Sequence, residues 1–304
     1  MGATVSVVIP TYYRNESLRR AIESVRRQAY EPVEVVVVDD SGEAHARETA
    51  ADYDVEYVAH EENKLANGAR TTGIEATSGE YVQLLDDDDV VFETKFEKQV
   101  ALLESNPDVG VAYAGIRSRT GDEVYPDPRW PDDSLRCALG ILYPGTFPSS
   151  MLIERAVVEK ILPLTPRPSA DDIGTKIELA RHTEFDYVDE VLTGIGVSET
   201  HISDSVDFAR DIADIIEEYD HLYDRYPPSL RYAALSFMYE TYAVRAVNQS
   251  VWSPKATSAF LKAAYYDQKT GPGSSRPVLL ASALASLFGS PGVSVASKFQ
   301  GALS

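Results

Sequence analysis

The chain has 304 residues and a formal net charge of -20, from 48 acidic and 28 basic residues. That balance argues against a nucleic-acid binder, which needs basic surface to meet phosphates. The length suits one large domain plus a smaller appendage, and 44% hydrophobic residues suffice for a core. The acid is dispersed rather than gathered in a tail, and only nine Lys accompany 19 Arg. A surface of this kind suits high-salt cytoplasm, where screening removes self-repulsion, and predicts a salt-loving source. The single Cys137 excludes an intrachain disulfide and fits a reducing compartment. No signal peptide is visible, since Val5 to Ile9 is short and is followed by Pro10. No run reaches the roughly 20 apolar residues of a membrane span; Val278 to Phe288 comes nearest. The expected location is cytoplasmic, with any membrane association peripheral at the inner face.

Val5 to Ile9 is a β-branched run and predicts a buried strand. Asn15 or Ser17 can cap a helix running to about Gln28, with Leu18, Ile22 and Val25 on one face. A second strand, Val33 to Val38, closes in Asp39-Asp40-Ser41-Gly42. A polar helix near Glu43 to Ala51, a strand near Val55 to Ala59 and a helix from Leu65 to Ala76 follow. The next strand, Tyr81 to Leu85, stops abruptly in Asp86-Asp87-Asp88-Asp89. Strand and helix thus alternate, and the strands are nearly all apolar, as parallel strands covered on both faces are. The expected fold is a doubly wound α/β domain. Its ligands would sit at the strand C-termini, where Pro10 to Tyr12, Asp39-Asp40 and the four aspartates share one rim. Like charges so crowded are tolerable when solvated or when something cationic sits among them.

Beyond the acidic run, Glu93 to Glu104 reads as a helix and Val109 to Ala114 as a strand. Residues 117–147 read as loops with a hairpin near Thr120-Gly121. Ser149 to Ile153 reads as a strand, Glu154 to Leu162 as a helix, and Asp171-Asp172 opens another helix. Phe185 to Val188 and Val191 to Ile195 read as two short strands. From about Ser205 helical periodicity dominates: Val206 to Tyr226, Ser229 to Val247, Thr257 to Asp267 and Val278 to Phe288. Tyr232, Phe237, Tyr239 and Tyr242 read as core packing, with a lipid platform as the lesser reading. The small-residue run Ala281 to Ser286 could lie at an interface, but lacks a basic face of its own. The domain boundary is expected there: 1–204 for the α/β domain, 205–304 for the helical region.

Four stretches in order carry a resemblance: Val5 to Tyr12, Val36 to Ser41, Asn67-Gly68-Ala69-Arg70-Thr71-Thr72-Gly73-Ile74, and Gly79 to Asp89. Together they resemble the inverting glycosyltransferases of family 2, with a GT-A fold: a Rossmann-like, mostly parallel central sheet. The likeness runs from about residue 4 to 105, more weakly to about 200, and leaves the helical region uncovered. It implies that Pro10, Thr11 and Tyr12 line a nucleotide base pocket, and that Asp40, beside Asp39, accepts a hydrogen bond from a uracil imide. It further implies that Arg70 reaches the nucleotide, that Asp86 and Asp88 take the D-x-D positions, and that Asp87 approaches the ribose. Asp88 would ligate Mn²⁺ or Mg²⁺, with His201 as a further ligand or a plain surface-loop histidine. Asp172 would be the catalytic base, with Asp171 its competitor. Tyr13 and Thr71 stand where the family usually has Asn, which bears on sugar or base preference. The implied partners are a nucleotide sugar (a UDP-hexose or UDP-hexuronate) and an acceptor glycan, lipid-linked on a polyprenyl (dolichol) phosphate or otherwise, in surface glycoprotein assembly.

The chemistry asks for these residue types. A nucleoside diphosphate leaves well when a hard cation neutralises its charge, and such a cation needs only one or two protein carboxylates. A separate carboxylate must take the acceptor's proton, and Asp172 at a helix start fits that role as well as that of a first-turn acid. Two alternatives stand beside this reading. One is a degenerate nucleotide-sugar-binding subunit. The other is a haloacid-dehalogenase-type phosphatase, with Asp86 to Val90 as its D-x-D-x-T/V motif.

Overall fold

The computed structural model describes residues 2–127, 133–142, 146–196, 206–249, 253–270 and 276–287. They fall into two compact units. The first holds residues 1–135, 143–167 and 174–199. In chain order its elements are β1 (Val5–Thr11), α1 (Asn15–Arg26), β2 (Val33–Asp39), α2 (Arg47–Ala51), β3 (Glu56–Ala59), α3 (Leu65–Glu75), β4 (Tyr81–Leu84) and β5 (Val90–Val91). Then come α4 (Lys95–Ser105), β6 (Val109–Arg117), β7 (Glu123–Val124), β8 (Leu152–Glu154), α6 (Arg155–Val158) and β9 (Glu184–Gly194), while the residues of α5 (Ser134–Leu139) and α7 (Asp171–Ala180) are divided between the two units.

One sheet carries the unit, in the order β3-β2-β1-β4-β8-β6-β9-β5, with β7 beside β6. The neighbours β3, β2, β1 and β4 are parallel. β8 runs antiparallel to both β4 and β6. Alternation explains why the strand sequences are apolar throughout. Val5, Val7 and Ile9 pack with Leu18, Ile22 and Val25 of α1 and with Phe96, Val100 and Leu103 of α4. Val8, Val36 and Val38 face the other way, onto Ala69 and Ile74 of α3, Val157 of α6 and Leu179 of α7. Each such side chain, fully buried, contributes about 1.5–3 kcal/mol. Gly73 lets α3 come close: a Cβ there would lie 2.3 Å from Val8 Cγ1.

Under the acidic stretch lies a buried polar knot. The fully buried Lys95 donates to Gln83 Oε1, to Gln99 Oε1 at 2.6 Å and to the Met151 carbonyl at 3.5 Å. Gln83 and Gln99 in turn donate to the Ser149 and Ser150 carbonyls. Burial holds the Lys95 ammonium well below the ordinary lysine range.

Several expectations need correction. Arg14, not Asn15 or Ser17, stands at the α1 cap position, and it makes no side-chain cap bond. The loop region 117–147 contains a helix, α5, beside the expected hairpin. Ser149 lies in a 3-10 turn (Pro148–Ser150) before the short β8. The two expected strands after α7 are one, β9, whose pairing with β6 is irregular where Ala114 gives way to Gly115.

The second unit comprises residues 136–142, 168–173 and 200–304. Its described helices are α8 (Val206–Glu218), α9 (Asp220–Tyr223), α10 (Pro228–Gln249), α11 (Pro254–Asp267) and α12 (Arg276–Ser286). The expected helix from 206 to 226 is broken after Glu218. Two short segments join these helices through polar contacts. The Tyr223 hydroxyl donates to the Leu139 carbonyl at 2.7 Å, and Ser169 Oγ donates to Asp211 Oδ2 at 2.5 Å. The core is built from small residues, Ala243, Ala256, Ala259 and Ala263 around Phe260 and Leu279. The tyrosines Tyr232, Tyr239 and Tyr242 are half-buried at its edge, and Phe237 is exposed. No helix among the described residues is long and apolar enough to cross a membrane.

Candidate active site

The parallel register puts the ends of β1, β2 and β4 on one rim. Thr11 pairs with Asp39 across β1 and β2, and the Asp40 N–H donates to the Thr11 carbonyl at 2.9 Å. The Leu85 N–H donates to the Val8 carbonyl, which starts the acidic loop beside β1. Thr11 Oγ1 then donates to Asp87 Oδ2 at 2.7 Å. Pro10 is half-buried, and Tyr12 and Tyr13 stand exposed, edge to face with centroids 4.8 Å apart. Tyr13 takes a left-handed φ of 56°.

Two arginines sit among the four aspartates. Arg70 donates to Asp86 Oδ1 at 2.6 Å and to Asn67 Oδ1 at 2.9 Å. Arg14 Nη1 lies 3.1 Å from Asp87 Oδ1 and 3.3 Å from Asp88 Oδ2. Arg14 went unnoticed in the sequence; its one signal is a cation directly after Tyr12-Tyr13. The aspartates themselves divide. Both Asp87 oxygens hold protein donors, and burial pushes its carboxyl up to about 6 against the pull of Thr11 and Arg14. Asp89 is buried and accepts the Gly196 N–H at 2.8 Å. Burial and the neighbouring Asp86 raise its pKa. Gly196 packs so tightly on this loop that a Cβ would overlap the Asp88 carbonyl. Asp86 and Asp88 each retain one carboxylate oxygen, Oδ2 and Oδ1, with no partner among the described residues.

The adjacent Asp39 and Asp40 also differ. Asp39 accepts from Ser41 N at 3.0 Å, Ala46 N at 2.6 Å and the Tyr57 hydroxyl at 2.8 Å. Burial alone would raise its pKa; these donors outweigh burial and lower it. Asp39 therefore shapes the turn after β2. Asp40 Oδ1 binds His60 Nδ1 at 2.6 Å and the Lys64 N–H at 2.9 Å, while Oδ2 has no partner among the described residues. His60 Nε2 lies 2.9 Å from Thr72 Oγ1. The sequence reading attached no role to His60.

Asp171 and Asp172 are half-buried in the first turn of α7. They belong to the second unit, as the rim belongs to the first. Carboxylates are stabilised at that end of a helix whatever else they do. His201 lies outside the described residues.

Among the described residues no three His, Cys, Asp or Glu side chains come together as a protein-only metal cage. Mg²⁺ or Mn²⁺ bound through one or two carboxylates and diphosphate oxygens needs none. The available oxygens of Asp86 and Asp88 are hard donors on one loop, and they fit such an ion.

The mostly parallel sheet, with carboxylates gathered at its strand ends, has a GT-A-like glycosyltransferase fold. Residues 6–162 match the model of glycosyl transferase family 2, and the chain belongs to that family. It is 38% identical over 117 residues to a glucosyl-dolichyl phosphate glucuronosyltransferase of Haloferax volcanii, a stretch covering 36% of this chain and 37% of that protein. It is 30% identical over 105 residues to the Escherichia coli UDP-Glc:alpha-D-GlcNAc-diphosphoundecaprenol beta-1,3-glucosyltransferase WfgD, covering 34% of this chain and 42% of that protein. The matches span about half or less of the length of such curated relatives. Staphylococcus aureus TarS, solved with UDP-GlcNAc, shares the fold with a TM-score of 0.63 at 16% identity, over 98% of this chain and 92% of that one. The mannosyltransferase PcManGT of Pyrobaculum calidifontis, solved with GDP-Man and Mn²⁺, aligns with a TM-score of 0.58 at 19% identity, over 98% of this chain and 84% of that one.

Proposed function

We propose that the chain transfers a hexose or hexuronate, with inversion, from a UDP-sugar to a hydroxyl of a glycan carried on a polyprenyl phosphate. One observation carries the reading. On a single rim Asp40, Asp86 and Asp88 each keep one carboxylate oxygen without a partner among the described residues. Asp40 is then the acceptor for the uracil N–H, held in place by His60 and the Lys64 N–H. Tyr12 offers its exposed ring to the base. Asp86 and Asp88 would hold Mn²⁺ or Mg²⁺, which when bound neutralises the leaving diphosphate. Arg14 and Arg70 balance the loop's charge and set its shape. Asp87, with both oxygens engaged, is a positioning group in this scheme rather than a ribose contact. Asp172 takes the proton as the acceptor oxygen bonds to the anomeric carbon and UDP departs from the opposite side.

The Haloferax and Escherichia relatives are named for transfer to dolichyl-phosphate- and diphosphoundecaprenol-linked sugars, which supports an acceptor of that class and work at the cytoplasmic face of a membrane. The acidic surplus with few lysines supports a salt-loving source, an archaeon on this reading. Against the phosphatase alternative, Asp86 to Val90 lie within the stretch that matches glycosyl transferase family 2, and Arg70 binds Asp86, the nucleophile of that scheme. Calorimetric titration tests the base assignment. UDP should bind with Mn²⁺ present, Asp40→Ala should lose at least about 10-fold in affinity, and GDP should bind weakly to both. Equal UDP and GDP affinity would contradict it.

A further inference from the structure

From Pro277 to Ser286, α12 carries no charge, and its only polar residues, Ser282 and Ser286, are buried. Its inner face, Leu279 and Ala283, joins the helical core with Ala256, Ala259 and Ala263 of α11. Its outer stripe, Val278, Leu280, Ala281 and Leu284, is exposed, Leu284 to 64%, as is Leu287 just past its end. A helix whose solvent-facing stripe is apolar is ordinarily covered. α11 packs against it in the same unit, and the exposed residues of α11 include Lys255, Ser258, Leu261, Lys262 and Tyr265, with the exposed Lys269 in the turn after it. Three of the chain's nine lysines thus recur at seven-residue spacing, two on α11 and one in the turn after it, with no exposed acid between them. Among the described residues none of the three forms an ion pair, in a chain of net charge -20. Lys262 and Lys269 lie instead over tyrosine rings, 5.0 Å from the Tyr239 centroid and 4.3 Å from that of Tyr265. Exposed lysines that α12 lacks thus stand on the helix packed against it and in the turn after that helix.

We propose that the paired outer faces of α11 and α12 dock on an anionic phospholipid bilayer. The α12 leucines with Leu261 and Tyr265 would enter the acyl boundary, and Lys255, Lys262 and Lys269 would meet headgroup phosphates. This deepens the reading of a lipid-carried acceptor by naming the surface that brings the chain to it, and it does not depend on the donor.

The test is co-sedimentation of the full chain with phosphatidylglycerol or phosphatidylcholine vesicles. The chain should pellet with the former; Leu280→Asp/Leu284→Asp and Lys255→Glu/Lys262→Glu/Lys269→Glu should each lose at least about 10-fold in partitioning. Unchanged melting curves would show that both variants fold. If either fails to fold, Leu284→Ser alone and Lys262→Gln alone should give smaller losses in the same direction. Equal pelleting with both lipids, or pelleting untouched by the variants, overturns the proposal. So does vesicle-free dimerisation abolished by the leucine changes without any lipid binding, which would give the face to a second copy. UDP release from a water-soluble UDP-sugar, scored on the same samples, should stay at the wild-type level; its absence throughout would count against sugar transfer and leave the surface standing.

Discussion

Arg14 Nη1 stands 3.1 Å from Asp87 Oδ1, across 73 residues of chain. Its side chain is about a third exposed, so water screens part of the pairing. Through it the loop after β1 clamps the loop after β4. The clamp also neutralises charge in a run of four successive aspartates, and Arg70 does the same for Asp86.

Arg14→Gln should therefore loosen the acidic loop. The melting temperature in EDTA should fall by the equivalent of about 1 kcal/mol. Saturating Mn²⁺ and UDP should restore most of that loss, since they supply positive charge and contacts to the same carboxylates. Calorimetry with and without ligand checks this; an equal loss in both conditions would show that Arg14 acts on the fold alone.

Asp88→Ala and Asp89→Ala should fail in different ways. Asp88 keeps an oxygen without a partner among the described residues, so its loss should abolish metal-dependent UDP release with the melting curve little changed. Asp89 accepts the Gly196 N–H from a buried position. Its loss leaves that N–H unsatisfied and should cost about 1–3 kcal/mol of stability. Paired activity and melting measurements decide; identical profiles would contradict the division.

His60→Ala should act through Asp40. The 2.6 Å contact to Oδ1 and the bond from His60 to Thr72 hold that carboxylate against the end of α3. Without it UDP affinity should drop about 10-fold, and KM for the donor should rise more than kcat falls. A kcat effect with KM unchanged would remove His60 from base recognition.

Lys95 supplies a pH test. Burial lowers its folded-state pKa well below the ordinary value, so the unfolded chain binds the proton more tightly. Stability should then rise with pH from the folded-state pKa up to the unfolded value near about 10.4. Lys95→Met should abolish that slope and leave the Gln83 and Gln99 carbonyl oxygens without their donor. Urea midpoints from pH 7 to 10 measure it; parallel curves for the two proteins would contradict the assignment.

The rim was legible in the sequence because each piece is local: an apolar run, a break, then polar residues at a strand end. Val5 to Tyr12, Val33 to Asp40 and Tyr81 to Asp89 needed only the parallel order to be brought together. The division of labour was not legible. Asp39 and Asp40 are identical neighbours, and only the turn chemistry, with Ala46 and Tyr57 returning to Asp39, separates them. Arg14 and His60 declare themselves through partners 73 and 20 residues away. Lys255, Lys262 and Lys269 were hidden differently: their seven-residue spacing is visible, but the exposed apolar stripe beside them belongs to the next helix.

The most direct measurement incubates the protein and Asp172→Asn with UDP-glucose or UDP-glucuronate, Mn²⁺ and a polyprenyl-phosphate-linked glycan, scoring UDP release and the mass of the lipid product. The account predicts UDP release with a one-sugar mass increase for the protein. For Asp172→Asn it predicts neither, with UDP binding retained. Full turnover by Asp172→Asn, or no consumption of any UDP-sugar by the unaltered protein, would contradict it.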